Sequence, residues 1–244
     1  MKKIVFTVII VLSGIHSKAQ DPVAVLEKVD KNMSAKTRII ESTMIVKGKR
    51  NQRELTSKSY TMGDEKSFTE YLSPARDKGT KMLKLGKELW MYSPSTDRTI
   101  MISGHMLRQS VMGSDLSYED MMDDRKLTEI YSPEITGTEI FDNRKCQVLE
   151  LKAKVNDAAY ESQKLWVDAD RFVPLKQELF AKSGQLLKRV IANDVRLVEG
   201  RWFPMQMNYK DILKDGDGTD WKINSIQFDK TIPEYIFSKA SLKQ

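Results

Sequence analysis

Few residues in this chain could do covalent or metal chemistry, and their spacing does not favour it. Cys146 is the single cysteine, and the histidines are His16 and His105. A His/Cys zinc site needs three or four such ligands. A Ser-His-Asp triad would have to run through His105, which has no neighbouring acid before Asp115. The run Asp215-Gly216-Asp217-Gly218-Thr219-Asp220 looks at first like a calcium loop. An EF-hand loop needs glycine at its sixth position and glutamate at its twelfth, where this chain has Asp220 and Ile226. Asp-Gly pairs between two alternating runs are the ordinary hairpin signal, so a turn is expected there. No P-loop and no Gly-rich dinucleotide turn is present.

One stretch stands apart: MISGHMLRQSVMGSDLSYEDMMDD, residues 101–124. Its acids, Asp115, Glu119, Asp120, Asp123 and Asp124, could hold a divalent cation. A helix explains them as well: Ser114 or Asp115 would serve as its N-cap. Leu116, Tyr118, Met121 and Met122 then share one side, and Glu119, Asp120, Asp123 and Asp124 face away. The methionines ask for more. Excluding Met1, the chain has 13 − 1 = 12, and seven of them (82, 91, 101, 106, 112, 121, 122) fall within residues 82–122. Methionine is flexible and polarisable, and it is over-used where a surface accepts ligands of variable shape. The cluster is therefore read as a lid over an apolar cavity rather than as gap-filling core.

The elements around it must position that lid. The chain opens MKKIVFTVIIVLSGIHSKAQ, with Lys2 and Lys3 ahead of an apolar Ile4–Leu12 and with Ser17 and Ala19 at the −3 and −1 positions of a cleavage site. This is the pattern of a secretory signal peptide, 1–19, cut after Ala19. The apolar core is too short to span a bilayer, which takes roughly 20 residues. Export from the cytoplasm is expected, with residues 20–244 as one domain. Losing Lys2, Lys3 and Lys18 takes the net charge from +6 to +3, which is no nucleic-acid signature. A lone cysteine makes no internal disulfide, so the fold must rest on its own core.

Asp21 and Pro22 mark a helix start, and Val25, Leu26, Val29 and Met33 give it an apolar stripe. From Arg38 the period changes to short runs divided by turn signals such as Gly63-Asp64, Ser73-Pro74, Gly86-Lys87 and Asp142-Asn143. About eleven or twelve strands result, and the lack of crossover helices points to an antiparallel sandwich or barrel. Trp90 and Tyr92 lie two apart on one strand and share a face. That face is expected to be the concave one, closed over by Met106, Leu107, Met112, Leu116, Tyr118, Met121 and Met122.

Gly86-Lys87-Glu88-Leu89-Trp90-Met91-Tyr92-Ser93-Pro94 resembles a pattern of the LolA/LolB-like periplasmic lipoprotein carriers. Leu165-Trp166-Val167-Asp168, Pro174-Leu175-Lys176, Trp202-Phe203-Pro204 and Ile232-Pro233-Glu234-Tyr235-Ile236-Phe237 fit the same family, and Val111–Met121 resembles its less characterised branch of outer-membrane lipoprotein-sorting proteins. The resemblance implies a mainly β, single-domain, incomplete and strongly curved antiparallel barrel with an N-terminal helix and a helical lid. It implies an apolar cavity for acyl chains, no cofactor and no covalent chemistry. The cargo would be an acylated lipoprotein or a lipid, carried from an inner-membrane transporter toward an outer-membrane acceptor. The alternative is a sensor or adaptor that binds the same cargo to signal to an inner-membrane transporter. Carriers of the best-known type have an Arg-Pro pair on an early strand, whose arginine bonds to the lid. The comparable segment here, Gly63–Phe68, has none.

Overall fold

The computed structural model describes residues 20–49 and 51–243; the expected leader, 1–19, lies outside them. Helix α1 (Pro22–Met33) begins as its sequence dictates: the Asp21 carboxylate accepts from Val23 N at 3.0 Å, and Pro22 occupies the first turn, where its missing N–H is not needed. Six strands follow as a meander: β1 (Thr37–Lys47), β2 (Gln52–Met62), β3 (Lys66–Ser73), β4 (Lys81–Leu85), β5 (Glu88–Ser93) and β6 (Arg98–Ile102). After an irregular segment holding α2 (Tyr118–Met122) and α3 (Leu127–Ile130), seven more run to the C-terminal tail. These are β7 (Tyr131–Phe141), β8 (Arg144–Ala153), β9 (Ser162–Asp168), β10 (Pro174–Phe180), β11 (Leu186–Val198), β12 (Arg201–Asp211) and β13 (Gly218–Phe228).

All thirteen strands join one antiparallel sheet, in the order β6-β5-β4-β3-β2-β1-β13-β12-β11-β10-β9-β8-β7. Eleven or twelve strands were expected, and thirteen are found among the described residues. The sandwich alternative is gone. The sheet curls into an incomplete barrel that does not close, since β6 and β7 are not paired to each other.

The register defines the faces, because directly opposed residues share one. A continuous row runs Arg53–Val46–Thr219–Tyr209–Val190–Gln177–Leu165–Leu149–Ile135, from β2 across to β7. Near the β7 end of this inner face α1 buries Val25, Leu26 and Val29 against Leu149, Leu151, Leu165 and Val167. The same face, on β1–β6, is covered by the segment between β6 and β7. A second row, Ile39–Tyr60–Phe68–Leu83–Trp90–Met101, lies on the outer face. There the C-terminal tail lays Ile232, Phe237 and Leu242 over Phe68 and Leu83.

Candidate functional site

Strands β6 and β7 follow one another in the chain yet form opposite edges of the sheet. The segment that joins them runs over the inner face, touching β2, β4, β11 and β13 on the way. It turns in short 3-10 elements at Gly104–Arg108 and Val111–Gly113, then forms α2 and α3. Ser117, not Ser114 or Asp115, caps α2. The Ser117 hydroxyl accepts from Asp120 N at 3.2 Å, and the Asp120 carboxylate accepts from Ser117 N at 2.6 Å, a reciprocal capping box. The expected cap residues are engaged elsewhere. Asp115 is buried and its carboxylate accepts from Thr219 Oγ1 at 2.8 Å and Asp211 N at 2.9 Å, while the Ser114 hydroxyl accepts from Leu116 N.

The underside of this lid is apolar. Val111 is fully buried and Tyr118 nearly so, against Leu55, Tyr71, Met82, Leu89 and Ile102 of the sheet. Met106, Leu107, Met112, Met121 and Met122 pack on the same cluster, and the Tyr118 hydroxyl lies 3.5 Å from Met91 Sδ. Between lid and sheet a void of about 20 Å³ remains, bordered by Met44, Tyr71, Leu116, Met121, Trp221 and the hydroxyls of Ser42, Ser57 and Ser59. That is room for about one water molecule. The lid is shut, and its own side chains fill the space over this part of the sheet. Roomier hollows flank it: one of about 570 Å³ beside β11 and β12, and one of about 170 Å³ between α3 and the sheet.

The acids were expected to form a solvent-facing side of a helix. The structure instead turns most of them into latches. Asp115 hooks the lid to β12 and β13 as above. Asp120 receives the Lys188 ammonium and the Tyr160 hydroxyl; Asp124 receives Arg38. Burial and then the Asp120 charge push the Tyr160 phenol above its ordinary range. Asp123 pairs with Arg125 at 2.9 Å, and the half-buried Glu119 has its carboxyl pushed up by desolvation. From the sheet side, Arg53 donates to the carbonyl of Met112, Lys84 to that of Met122 and Lys214 to that of Ser114. Segment 63–68 supplies no arginine, but Arg53 on β2 makes the arginine-to-lid bond.

Of the nine residues expected at the site, the structure brings Met106, Leu107, Met112, Leu116, Tyr118, Met121 and Met122 together in the lid. It does not bring Trp90 and Tyr92 to them. Their strand presents Leu89 and Met91 to the lid, while Trp90 and Tyr92 point to the outer face and pack with the tail. Lys239 Nζ sits 3.8 Å from the centre of the Trp90 ring. Met101 shares that outer face and is exposed. The face assignment is corrected accordingly. Arg53, Lys84, Tyr160, Lys188 and Lys214 were missed.

Other candidate residues do not converge. His105 is exposed in the lid, whereas Cys146 is fully buried on β8, where desolvation pushes its thiol up. Among the described residues, no group of three or more His, Cys, Asp or Glu side chains could hold a metal ion. Asp215–Asp220 makes the β12–β13 hairpin, as its Asp-Gly pairs indicate. A Cβ on Gly218, at φ +84°, would come within 2.4 Å of the Tyr209 carbonyl oxygen, which fixes glycine there. Asp220 pairs with Lys47 at 2.7 Å.

Comparison with known proteins agrees with this geometry. A family model described as "Uncharacterized protein" matches residues 63–244. No match is found among curated proteins. Among solved structures, a DUF1329 family protein from Desulfovibrio piger superposes with a TM-score of 0.83 at 23% identity, covering 91% of this chain and 100% of its own. A proposed outer membrane lipoprotein-sorting protein domain from Vibrio parahaemolyticus gives 0.80 at 22%, covering 91% and 98%. A LolA superfamily protein from Nitrosomonas europaea gives 0.76 at 24%, covering 91% and 100%. The chain belongs to the family whose model matches residues 63–244, and its fold is the LolA-like incomplete barrel.

Proposed function

We propose that this protein is a periplasmic carrier or chaperone that takes the acyl chains of a lipoprotein or lipid beneath its lid and conveys them toward the outer membrane. The observation that carries this reading is the edge-to-edge lid: a methionine-rich apolar underside on the inner face, held shut by polar bonds rather than by sequence continuity with the core. Magnitudes favour a lid that opens. Each latch has a charged donor or acceptor, and such a bond has a net worth of about 1.5–3 kcal/mol, because water replaces it when it breaks. Each methylene buried returns about 0.8 kcal/mol, so an acyl chain of ordinary length offsets several latches. The methionines then trade lid–sheet contacts for lid–ligand contacts, and their flexible thioethers suit chains of variable shape. The similarity in fold to a LolA superfamily protein supports the same reading. Processing after Ala19 belongs to it, as do an inner-membrane donor, an outer-membrane acceptor and the absence of catalysis.

The test is transfer. The mature protein is offered a fluorescent acyl probe, and donor vesicles carrying an acylated, labelled peptide are mixed with acceptor vesicles. Saturable probe binding and protein-dependent transfer are expected. Binding without transfer turns the reading to a sensor or adaptor; no binding of any acylated probe overturns it.

A further inference from the structure

Lys188 is 8% exposed and stands on β11 in the inner-face phase, two residues from Val190. It borders both flanking hollows. Its hydrogen-bond partners, Asp120 and the Ser117 hydroxyl at 3.4 Å, both belong to the lid. The carboxylate opposite it in register, that of Asp211, is occupied with Leu213 N at 3.0 Å and faces Lys214 at 3.8 Å. A second donor from outside the lid, the Tyr160 hydroxyl, also points at Asp120. Two donors thus converge from the body of the protein on one carboxylate carried by the movable element.

When the lid lifts, Asp120 leaves with it. Lifting the lid separates the Lys188 ammonium and the Tyr160 hydroxyl from Asp120 at the hollows both residues border. An anionic group in the vacated place restores the charge-assisted bonds that Asp120 made, which a neutral group does not. Leu116 borders both the larger hollow, where Lys188 lies, and the small void beneath the methionines, so a head group at Lys188 and a chain under the lid would adjoin. We propose, building on the carrier reading, that the ligand is an anionic amphiphile whose carboxylate or phosphate oxygens replace Asp120 on Lys188 and Tyr160. Asp120 is the built-in mimic of that head group, and the lid closes on itself when no ligand is present.

The experiment uses single-chain probes with one common tail: a fatty acid, a lysophosphatidate with a phosphate monoester head, and a neutral glycerol monoester, with inorganic phosphate as the tail-less control. Wild-type protein binds at least one anionic probe roughly tenfold to a hundredfold more tightly than the neutral one, the worth of a charge-assisted hydrogen bond. The ranking of fatty acid against lysophosphatidate tells which head group fits. Lys188→Gln removes the preference while keeping neutral binding. Asp120→Asn raises the anionic-to-neutral ratio by removing the internal competitor. Equal binding of neutral and anionic probes by wild type, a preference surviving in Lys188→Gln, or inorganic phosphate binding as tightly as the tailed probes overturns the proposal. If Lys188→Gln does not fold, the Asp120→Asn ratio decides, and an unchanged ratio counts against it. Failure of every tailed probe overturns the carrier reading itself, a distinct result.

Discussion

Arg53 on β2 donates from its guanidinium to the carbonyl of Met112, a lid residue whose backbone lies at φ 50°. That conformation is one non-glycine residues rarely adopt, at an expense of about 1–2 kcal/mol. Gly113 follows at φ 74°, so two left-handed residues in succession turn the carbonyl toward the arginine. The bond and the strained turn depend on each other. Arg53→Ala should release both, lowering stability by about 1.5–3 kcal/mol, the range for a lost hydrogen bond to a charged group. Amide exchange should speed up across residues 104–122 and leave β8–β10 unchanged. Exchange that stays slow in the lid would show that Arg53 is not its latch.

The lid residues divide by burial, and so should their effects. Met121 borders the void and is half-buried, whereas Leu116 is 3% exposed. Met121→Asp should weaken binding of an acyl probe by roughly tenfold or more, on the scale of 1.4 kcal/mol per decade, with a small change in melting temperature. Leu116→Asp should destabilise by several kcal/mol, about what large-to-small core changes or an unpaired buried polar group entail. The pair is read by probe titration and thermal unfolding on both variants. If Met121→Asp leaves binding intact, the chain does not lie under the methionines.

The strands and α1 were legible because their signals are local. Asp21-Pro22 caps and starts a helix by itself, and turn pairs such as Asp142-Asn143 divide the runs without outside help. The face of Trp90 was not legible, for a physical reason. Alternation places residues two apart on one side, but β4 and β5 are apolar on both sides: Met82 faces the lid and Leu83 the tail, Met91 the lid and Trp90 the tail. Only the far-off Phe237 and Leu242 decide which apolar side is which. Lys84 and Lys188 left a weak mark, each a lysine in the inward phase of a strand. Their partners lie on the lid, 38 and 68 residues away, beyond any local pattern.

Acid sensitivity should trace to Asp168. It is fully buried at the end of β9, accepting from Arg144 Nε at 2.8 Å, Arg171 Nε at 2.7 Å and the backbone amides of Asp170 and Arg171. Burial alone would raise its carboxyl; the Arg144 guanidinium, then the Arg171 bonds, outweigh it and hold the group well below the usual carboxylate range. A depressed folded value means the stabilisation is present above the unfolded carboxylate value, about pH 3.9, and is lost as pH falls further toward the folded one. Urea midpoints of the wild type should therefore drop steeply below about pH 4. Asp168→Asn should lower the midpoint at neutral pH and flatten that slope. A slope identical to wild type would assign the acid transition to other carboxylates.

The two faces of the N-terminal half can be separated by one further variant. Phe237 is 6% exposed and seals the outer face with Leu242, over Phe68, Leu83 and Trp90. Phe237→Ala removes a ring from a packed site that cannot collapse far, because the sheet beneath is fixed by its ladder. The expected loss is about 3–5 kcal/mol. Met91, on the neighbouring position of the Trp90 strand, faces the lid instead. Sites that share no partners act independently to within about 0.5 kcal/mol. Phe237→Ala should therefore leave the acyl-probe affinity of the folded protein within about twofold of wild type, while Met91→Asp reduces it by tenfold or more on the same scale. The measurement is probe titration at a temperature where both variants are folded by circular dichroism. A Phe237→Ala protein that folds but loses the probe would move the binding surface to the tail face, and the lid would then be a structural cover.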